Sequence, residues 1–288
     1  MTNFNLHHGD CVAGMSLLDE TSVDLIVTSP PYNLGIAYGK FSDAQDRGSY
    51  LDWCEEWAAA ARRLLKPEGS LFLNVGASPS NPMLPHELIL RLRNFFVLQN
   101  TIHWIKAISV DDENGHPISR GHFKPISSPR FLNDCHEYLF HLTPDGRTPI
   151  DRLALGVPYA DKSNIARWQH TAGSDLRCRG NTWFVPYETI RSRDKQRPHP
   201  ATFPVELAVN CINLHGRSRV QTMLDPFLGI GNSAVAAQRC GVAEFTGFEI
   251  DETYLAEARH RLGLVVRTEG GALGPDHRDR DRQPRNRH

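Results

Sequence analysis

Closely spaced cysteines are missing from this sequence: of its six, the nearest two, Cys211 and Cys240, stand 29 residues apart. That spacing carries no CxxC signal for zinc or redox chemistry. A chain of 288 residues can bury its own core without a disulfide framework, so the thiols are expected to be reduced. The 14 histidines show no HExxH or Cys/His ligand spacing, and no metal site is expected. Charge of one sign is also lacking: 32 Lys plus Arg stand against 33 Asp plus Glu, so no global basic excess announces a nucleic-acid partner. No run approaches the roughly 18 apolar residues of a membrane span. The opening MTNFNLHHGD lacks the charged-then-apolar layout of a signal peptide, and a cytoplasmic location without membrane partners is expected.

What is present is ordinary globular material, 40% hydrophobic and 23% charged, at a length that suits one large α/β domain or two smaller ones. Short β-branched or apolar runs alternate with helix-period stretches, the habit of βαβ units and a mostly parallel sheet. The runs predict strands over 4–8, 23–28, 70–75, 101–106, 137–142, 220–224 and 244–249. Leu51, Cys54, Trp57, Ala58, Ala61, Leu64 and Leu65 recur at spacings of three and four, and Lys66-Pro67-Glu68-Gly69 should stop that helix. Leu84, Leu88, Leu92 and Phe95 repeat the pattern, as do Leu207, Cys211 and Leu214, then Leu255, Ala258 and Leu262.

The near-zero total charge hides an asymmetry. Residues 117–197 hold 13 Lys plus Arg against 8 Asp plus Glu, a net of +5, leaving 19 − 25 = −6 elsewhere. The stretch is irregular and rich in Pro, Gly, Ser and Arg, which fits phosphate contact and equally a solvated loop region. From Gly270 onward almost no apolar residue remains, so a disordered tail is expected.

Two segments carry chemistry. In Met223-Leu224-Asp225-Pro226-Phe227-Leu228-Gly229-Ile230-Gly231-Asn232-Ser233-Ala234 an apolar strand enters a Gly-containing turn and then an Ala-rich helix. Such a turn lets a ligand approach the backbone at a helix N-terminus. Glu249 follows Asp225 by 24 residues, at the end of the next strand, where an acidic residue can bond both hydroxyls of a ribose. The third glycine of a strict GxGxxG is missing, which favours an adenosine-containing ligand other than a dinucleotide, and a plain strand-to-helix turn stays open. The second segment is Asp24-Leu25-Ile26-Val27-Thr28-Ser29-Pro30-Pro31-Tyr32-Asn33. Its two prolines halt a buried-type strand and stiffen the exit, aiming the Ser29 hydroxyl, the Pro30 carbonyl and the Tyr32 ring at the C-terminal edge of the sheet.

Together the Ser29-Pro30-Pro31-Tyr32 tetrad and the Asp225-Pro226-Phe227-x-Gly229-x-Gly231 loop, in that order, resemble the permuted β class of the amino-group DNA methyltransferases that use S-adenosyl-L-methionine. Gly9-Asp10-Cys11 resembles that family's adenine-contacting segment, and Arg197-Pro198-His199-Pro200-Ala201-Thr202-Phe203-Pro204 its segment beside the methionine. The resemblance spans most of residues 4–262. It implies a doubly wound, Rossmann-like, mostly parallel seven-stranded α/β sheet with helices on both faces. Residues 1–142 would form the catalytic half, 143–196 an inserted target-recognition region, 197–264 the cofactor-binding half of the same domain, and 265–288 the tail.

What the resemblance implies for function is transfer of a methyl group from S-adenosyl-L-methionine to an exocyclic amine of a base flipped out of duplex DNA. Ser29, Pro30, Pro31 and Tyr32 would be catalytic. Asp10, Cys11, Phe203, Asp225, Phe227, Gly229, Gly231, Asn232, Ser233, Glu249 and Ile250 would bind the cofactor. Lys124, Arg130, Arg177, Arg179, Arg191 and Arg193 are candidates for DNA contact. Residues 33–48 resemble a mobile loop closing over the base. In the family, serine at the first tetrad position goes mostly with N4-cytosine and aspartate with N6-adenine, so Ser29 points to cytosine with adenine as the alternative. Double-stranded DNA is the implied partner, and a homodimer or a separately acting restriction endonuclease stays open. Some glutamine and RNA methyltransferases share a Pro-Pro-Tyr, but usually with Asn first and the cofactor loop before the tetrad.

Overall fold

Leu25 and Val27 face one apolar core and Ile26 the opposite one, the two-residue alternation of a strand buried on both sides. The computed structural model describes residues 1–33, 37–38, 41–42, 45–79, 81–121, 123, 126–169, 173–186 and 202–264. In chain order the elements are β1 (Asn3–His8), α1 (Cys11–Ser16), β2 (Val23–Thr28), β3 (Ala37–Tyr38), β4 (Phe41–Ser42), α2 (Arg47–Leu64) and β5 (Leu65–Val75), followed by α3 (Leu84–Leu92), β6 (Val97–Ile105), β7 (Ala107–Asp111), β8 (Pro117–Gly121) and β9 (His136–Thr143). The remainder holds α4 (Ser163–Arg167), β10 (Thr182–Phe184), α5 (Val205–His215), β11 (Thr222–Asp225), α6 (Asn232–Cys240), β12 (Glu244–Glu249) and α7 (Glu252–Arg261).

Eight strands form one sheet in the order β1-β12-β11-β2-β5-β9-β6-β10, with β9 antiparallel to both of its neighbours and every other pairing parallel. The first two strands thus flank the last two. Helices α1 to α3 cover one face over a core with Ile26, Leu71, Leu73 and Phe140, while α5 to α7 cover the other over Leu25, Phe72, Trp104 and Met223. Within α2, Tyr50, Leu51, Cys54, Trp57, Ala58, Ala61 and Leu64 form the buried stripe. Emptying the Trp57 position would cost about 3–5 kcal/mol. Asp46 caps that helix by accepting a bond from the Ser49 amide, and Asp10 caps α1 through the Ala13 amide.

The structure departs from two expectations. The sheet has eight strands where seven were expected, because Thr182–Phe184, inside the segment assigned to target recognition, joins the edge beside β6. Burial of Trp183 and a 2.7 Å bond from Trp104 Nε1 to the Val185 carbonyl hold it there. The helix stops where Lys66-Pro67-Glu68-Gly69 was expected to stop it, ending at Leu64, and β5 starts at Leu65, with a register shift against β2 absorbing the Pro-Gly segment. The stretch read as irregular from Pro117 contains β8, which pairs with β7 in an antiparallel hairpin.

Beneath the sheet a polar chain joins four elements. Ser70 Oγ lies 2.9 Å from His141 Nε2 and 2.9 Å from His215 Nδ1, and Asn100 Nδ2 lies 2.9 Å from His141 Nδ1. Burial pushes His141 down to about 3 and His215 down to about 4, so both rings are neutral at physiological pH. Residues 265–288, expected to be a disordered tail, lie outside the described residues. No described helix is long and apolar enough to cross a membrane.

Candidate active site

Four parallel strands, β1, β12, β11 and β2, end side by side, and the segments leaving them enclose one cleft. This is where the strand order reverses, the usual ligand position of a doubly wound sheet. Of the residues singled out in the sequence, Ser29, Pro30, Pro31, Tyr32, Asp10, Cys11, Phe203, Phe227, Gly229, Asn232, Glu249 and Ile250 line it. Asp225, Gly231 and Ser233 do not, and instead build its floor.

The floor is a hydrogen-bonded knot. Asp225, 1% exposed, accepts from the Thr28 hydroxyl at 2.6 Å, the Phe227 amide at 3.0 Å and the Ser233 hydroxyl. Burial raises its carboxyl to about 6, against the pull of those donors. The knot ties the end of β2 to the start of α6, fixing the two chemical segments relative to each other. Gly231 has φ 80°, a left-handed geometry that suits glycine, and a Cβ there would stand 3.0 Å from that of Ala258.

Glu249 ends β12. Its Oε2 accepts from the Gly229 amide at 2.7 Å and its Oε1 from the Asp251 amide at 2.8 Å, and burial raises its carboxyl above the usual range. Each carboxylate oxygen keeps a second lone pair. Phe227 forms an aromatic wall with Trp53, 5.5 Å between centroids, and Trp57, 5.6 Å and edge-on. Asn232 Nδ2 bonds the Phe203 carbonyl at 2.6 Å, bringing the segment before α5 over the loop.

Around the tetrad, the Tyr50 hydroxyl bonds the Pro31 carbonyl at 2.7 Å, and Ser29 Oγ lies 2.7 Å from Tyr32 Oη. Asn33, at φ 53°, uses its side-chain amide to bond both the carbonyl (2.9 Å) and the amide (2.7 Å) of Gln45. The described part of the expected loop 33–48 therefore contains a clamped neck and the β3–β4 pair, and its last two residues already belong to α2.

Sequence reasoning missed Asn74, Glu137 and Lys106 as site residues. Asn74 and Glu137 line the cleft, and Asn74 Nδ2 bonds Tyr32 Oη at 2.6 Å and Glu137 Oε2 at 2.7 Å. The available signal was polar residues set into two largely apolar strands, SLFLNV and EYLFHL, though Ser70 and His141 share that signal without lining the cleft. Of the DNA-contact candidates, Arg130, Arg177 and Arg179 are exposed. Arg130 stacks over Phe131 at 5.0 Å and Arg179 bonds the Leu155 carbonyl. Lys124, Arg191, Arg193 and His199 lie outside the described residues.

The family model for DNA methylases of the N6/N4 type matches residues 23–260. Type II methyltransferase M.ScaI of Streptomyces caespitosus is 29% identical over 272 residues, 89% of this chain and 80% of its own. DNA adenine methyltransferase YhdJ of Escherichia coli K12 is 26% identical over 261 residues, 90% and 82% of the two chains. Among solved structures, the cytosine-N4-specific PvuII DNA methyltransferase shares the fold at TM-score 0.64 and 16% identity, covering 94% of this chain and 89% of its own. TTHA0409 of Thermus thermophilus, solved with S-adenosyl-L-methionine, shares it at TM-score 0.58 and 24% identity, covering 91% and 93%. A cleft framed by the Ser-Pro-Pro-Tyr turn and the Asp225 loop, with a family match running from β2 to α7, establishes that the chain belongs to the N6/N4 family of DNA methylases and is a DNA methyltransferase.

Proposed function

We propose that this enzyme transfers a methyl group from S-adenosyl-L-methionine to the exocyclic N4 of cytosine within a specific duplex sequence. The observation that carries the reading is the meeting of Ser29 and Tyr32 with Phe227, Gly229 and Glu249 in one cleft. The donor set fits the cofactor. Glu249, its two oxygens already oriented by backbone amides, has one lone pair on each for the two ribose hydroxyls, and Phe227 backed by Trp53 and Trp57 offers an aromatic wall. When bound, S-adenosyl-L-methionine supplies an electrophilic methyl on a sulfonium.

An exocyclic amine is a poor nucleophile because its lone pair is delocalised into the ring. The Ser29 hydroxyl and the Pro30 carbonyl accept its two N–H bonds, turning the lone pair out of conjugation and toward the methyl. Those oxygens and the Tyr32 face then stabilise the positive charge that develops on nitrogen as the S–CH3 bond breaks and the N–CH3 bond forms, and the methylated ammonium releases one proton to solvent. Because the amine is paired inside a duplex, the base is flipped and stacks on Tyr32. Asp10, Cys11, Phe203, Asn232 and Ile250 complete the cofactor walls, with Asp225, Gly231 and Ser233 holding them from below. Arg130, Arg177 and Arg179, with Lys124, Arg191 and Arg193, serve the phosphates and base edges from the basic segment 143–196 and the chain before it. The type II name of the Streptomyces relative supports a role beside a separately acting restriction endonuclease in the cytoplasm, and a homodimer is compatible with that role.

Cytosine rests on Ser29, a neutral group at the amine. Adenine N6 is the second reading, favoured by the Escherichia coli relative named for adenine. Purified enzyme is incubated with labelled S-adenosyl-L-methionine and unmethylated genomic DNA, the DNA is digested, and the labelled nucleoside is identified by mass. N4-methylcytosine, formed far more slowly with Ser29→Ala and Tyr32→Ala, is the expected result. N6-methyladenine would overturn the base assignment, and no labelled nucleoside would overturn the DNA reaction.

A further inference from the structure

Glu137 is a carboxylate near the start of β9, 9% exposed, and it meets the tetrad at Tyr32. Lys106, directly after β6, bonds its Oε1 at 3.0 Å, a pairing that offsets the cost of burying the carboxylate. Its Oε2 faces the Tyr32 hydroxyl at 3.2 Å and the Asn74 side-chain amide at 2.7 Å. The chain Lys106–Glu137–Tyr32–Ser29 therefore runs from a cation to the hydroxyl that faces the target amine.

Donor and acceptor roles along this chain are decided at its Glu137 end. A carboxylate only accepts, so Asn74 must turn its Nδ2 toward Oε2, and the same Nδ2 donates to Tyr32 Oη at 2.6 Å. Tyr32 has one proton. Two neighbours of its oxygen can only accept, Glu137 Oε2 and the Asn74 backbone carbonyl, each at 3.2 Å, whereas Ser29 Oγ at 2.7 Å can act either way. The phenol proton goes to the acceptor-only side. Ser29 must then donate its own proton to Tyr32 Oη, which leaves the Ser29 lone pairs for an incoming N–H.

We propose that Glu137 is a positioning residue that, through Tyr32, makes Ser29 an obligatory hydrogen-bond acceptor toward the target amine. Without the carboxylate, the Asn74 carbonyl must hold the phenol proton against Ser29; whenever that proton turns to Ser29, the serine proton turns toward the substrate, where it meets the amine N–H head-on. The inference rests on the assignment of Ser29 as amine acceptor in the proposed function.

The test is single-turnover methyl transfer to duplex DNA at saturating cofactor by the full chain, with Glu137→Gln made in the wild-type, Ser29→Ala and Tyr32→Phe backgrounds. Cofactor affinity and melting temperature are measured on each protein to confirm folding. Glu137→Gln is expected to slow wild type about tenfold or more, and to cost less than about twofold once Ser29 or the phenol hydroxyl is gone. Equal losses in all three backgrounds would assign Glu137 a general structural role and overturn the inference alone. A Ser29→Ala enzyme as fast as wild type would overturn the acceptor assignment and this inference with it. Should Glu137→Gln fail to fold, Tyr32→Phe with Ser29→Ala supplies the same cycle one link nearer the substrate: non-additive losses uphold the relay, additive ones overturn it.

Discussion

The side-chain amide of Asn33 holds both polar backbone groups of Gln45, at 2.9 and 2.7 Å, so the chain leaving the Ser29–Tyr32 tetrad returns to a fixed point beside it. One side chain thereby closes the neck of the segment that enters α2.

Breaking that neck should impair catalysis more than folding. Asn33→Ala loses both bonds and places alanine at φ 53°, a left-handed geometry that costs about 1–2 kcal/mol. Asn33→Gly removes the backbone penalty but not the lost bonds. Both variants are expected to lower kcat by about tenfold, taking one hydrogen bond as roughly 1 ± 0.5 kcal/mol, while cofactor affinity holds. Steady-state kinetics with calorimetric cofactor titration checks this. A Gly variant with wild-type kcat would assign the whole effect to backbone strain.

Gly76 gives a steric handle on the same centre. A Cβ there would lie 3.0 Å from Tyr32 Cε2 and 3.3 Å from Glu137 Cδ. Gly76→Ala should push the ring off its stacking position and slow methyl transfer, and Gly76→Val should abolish it, with cofactor binding retained in both. Base flipping followed by 2-aminopurine fluorescence at the target position should weaken in the same order.

Glu249→Gln tests the cofactor side. The amide has one acceptor oxygen where the carboxylate had two, so either Gly229 or Asp251 loses its partner and one ribose hydroxyl loses an acceptor. The cofactor dissociation constant should rise about tenfold to a hundredfold, from one or two lost bonds, with kcat at saturating cofactor little changed. A proportional fall in kcat at unchanged affinity would move Glu249 out of cofactor binding.

Acid should destabilise the fold through the histidine chain. His141 and His215 titrate near 3 and 4 when folded and near 6.5 when unfolded, so below pH 6.5 the unfolded chain takes up two protons that the folded one refuses. Asp225 works the other way. Its folded value of about 6 lies above the ordinary 3.8, so it stabilises the acid form and that contribution fades as pH rises through 6. Glu249, also raised by burial, acts in the same sense as Asp225, but the two histidines are displaced further, and the melting temperature should fall between pH 6.5 and 4. His215→Gln, which can keep the bond to Ser70, should flatten that slope; an unchanged slope would exclude His215 as its source.

Much of this architecture is written locally. Val23–Thr28 and Glu244–Glu249 match their predicted limits because both are short runs bounded by turn residues, and the tetrad and the Asp225 loop sit where prolines and glycines end a strand. Asn74 and Glu137 read only as strand residues, since nothing local indicates that β5 and β9 carry them to Tyr32 across 42 and 105 residues of chain. Asp225 reads as a ligand contact because the loop pattern does not reveal that Thr28 and Ser233 enclose its carboxylate. The short β10 carries no alternation, and its place at the sheet edge depends on where Trp183 finds a core.

The flanking of β12 and β11 by β1 and β2 constrains how the protein can be made. On the ribosome, β1 emerges with its sheet partner β12 still untranslated, and His8 must wait for Ile250, 242 residues later. Until then β2 presents an unpaired edge bearing Leu25 and Ile26, the kind of surface that invites capture by another nascent chain. A ribosome stalled after β10 would carry the Gly9–Cys11 segment and the tetrad without β12 and β11, the strands that lie between β1 and β2. Nascent-chain proteolysis should find the sheet closing only once β12 has cleared the exit tunnel, so translation speed over the stretch encoding β11 and β12 bears directly on yield.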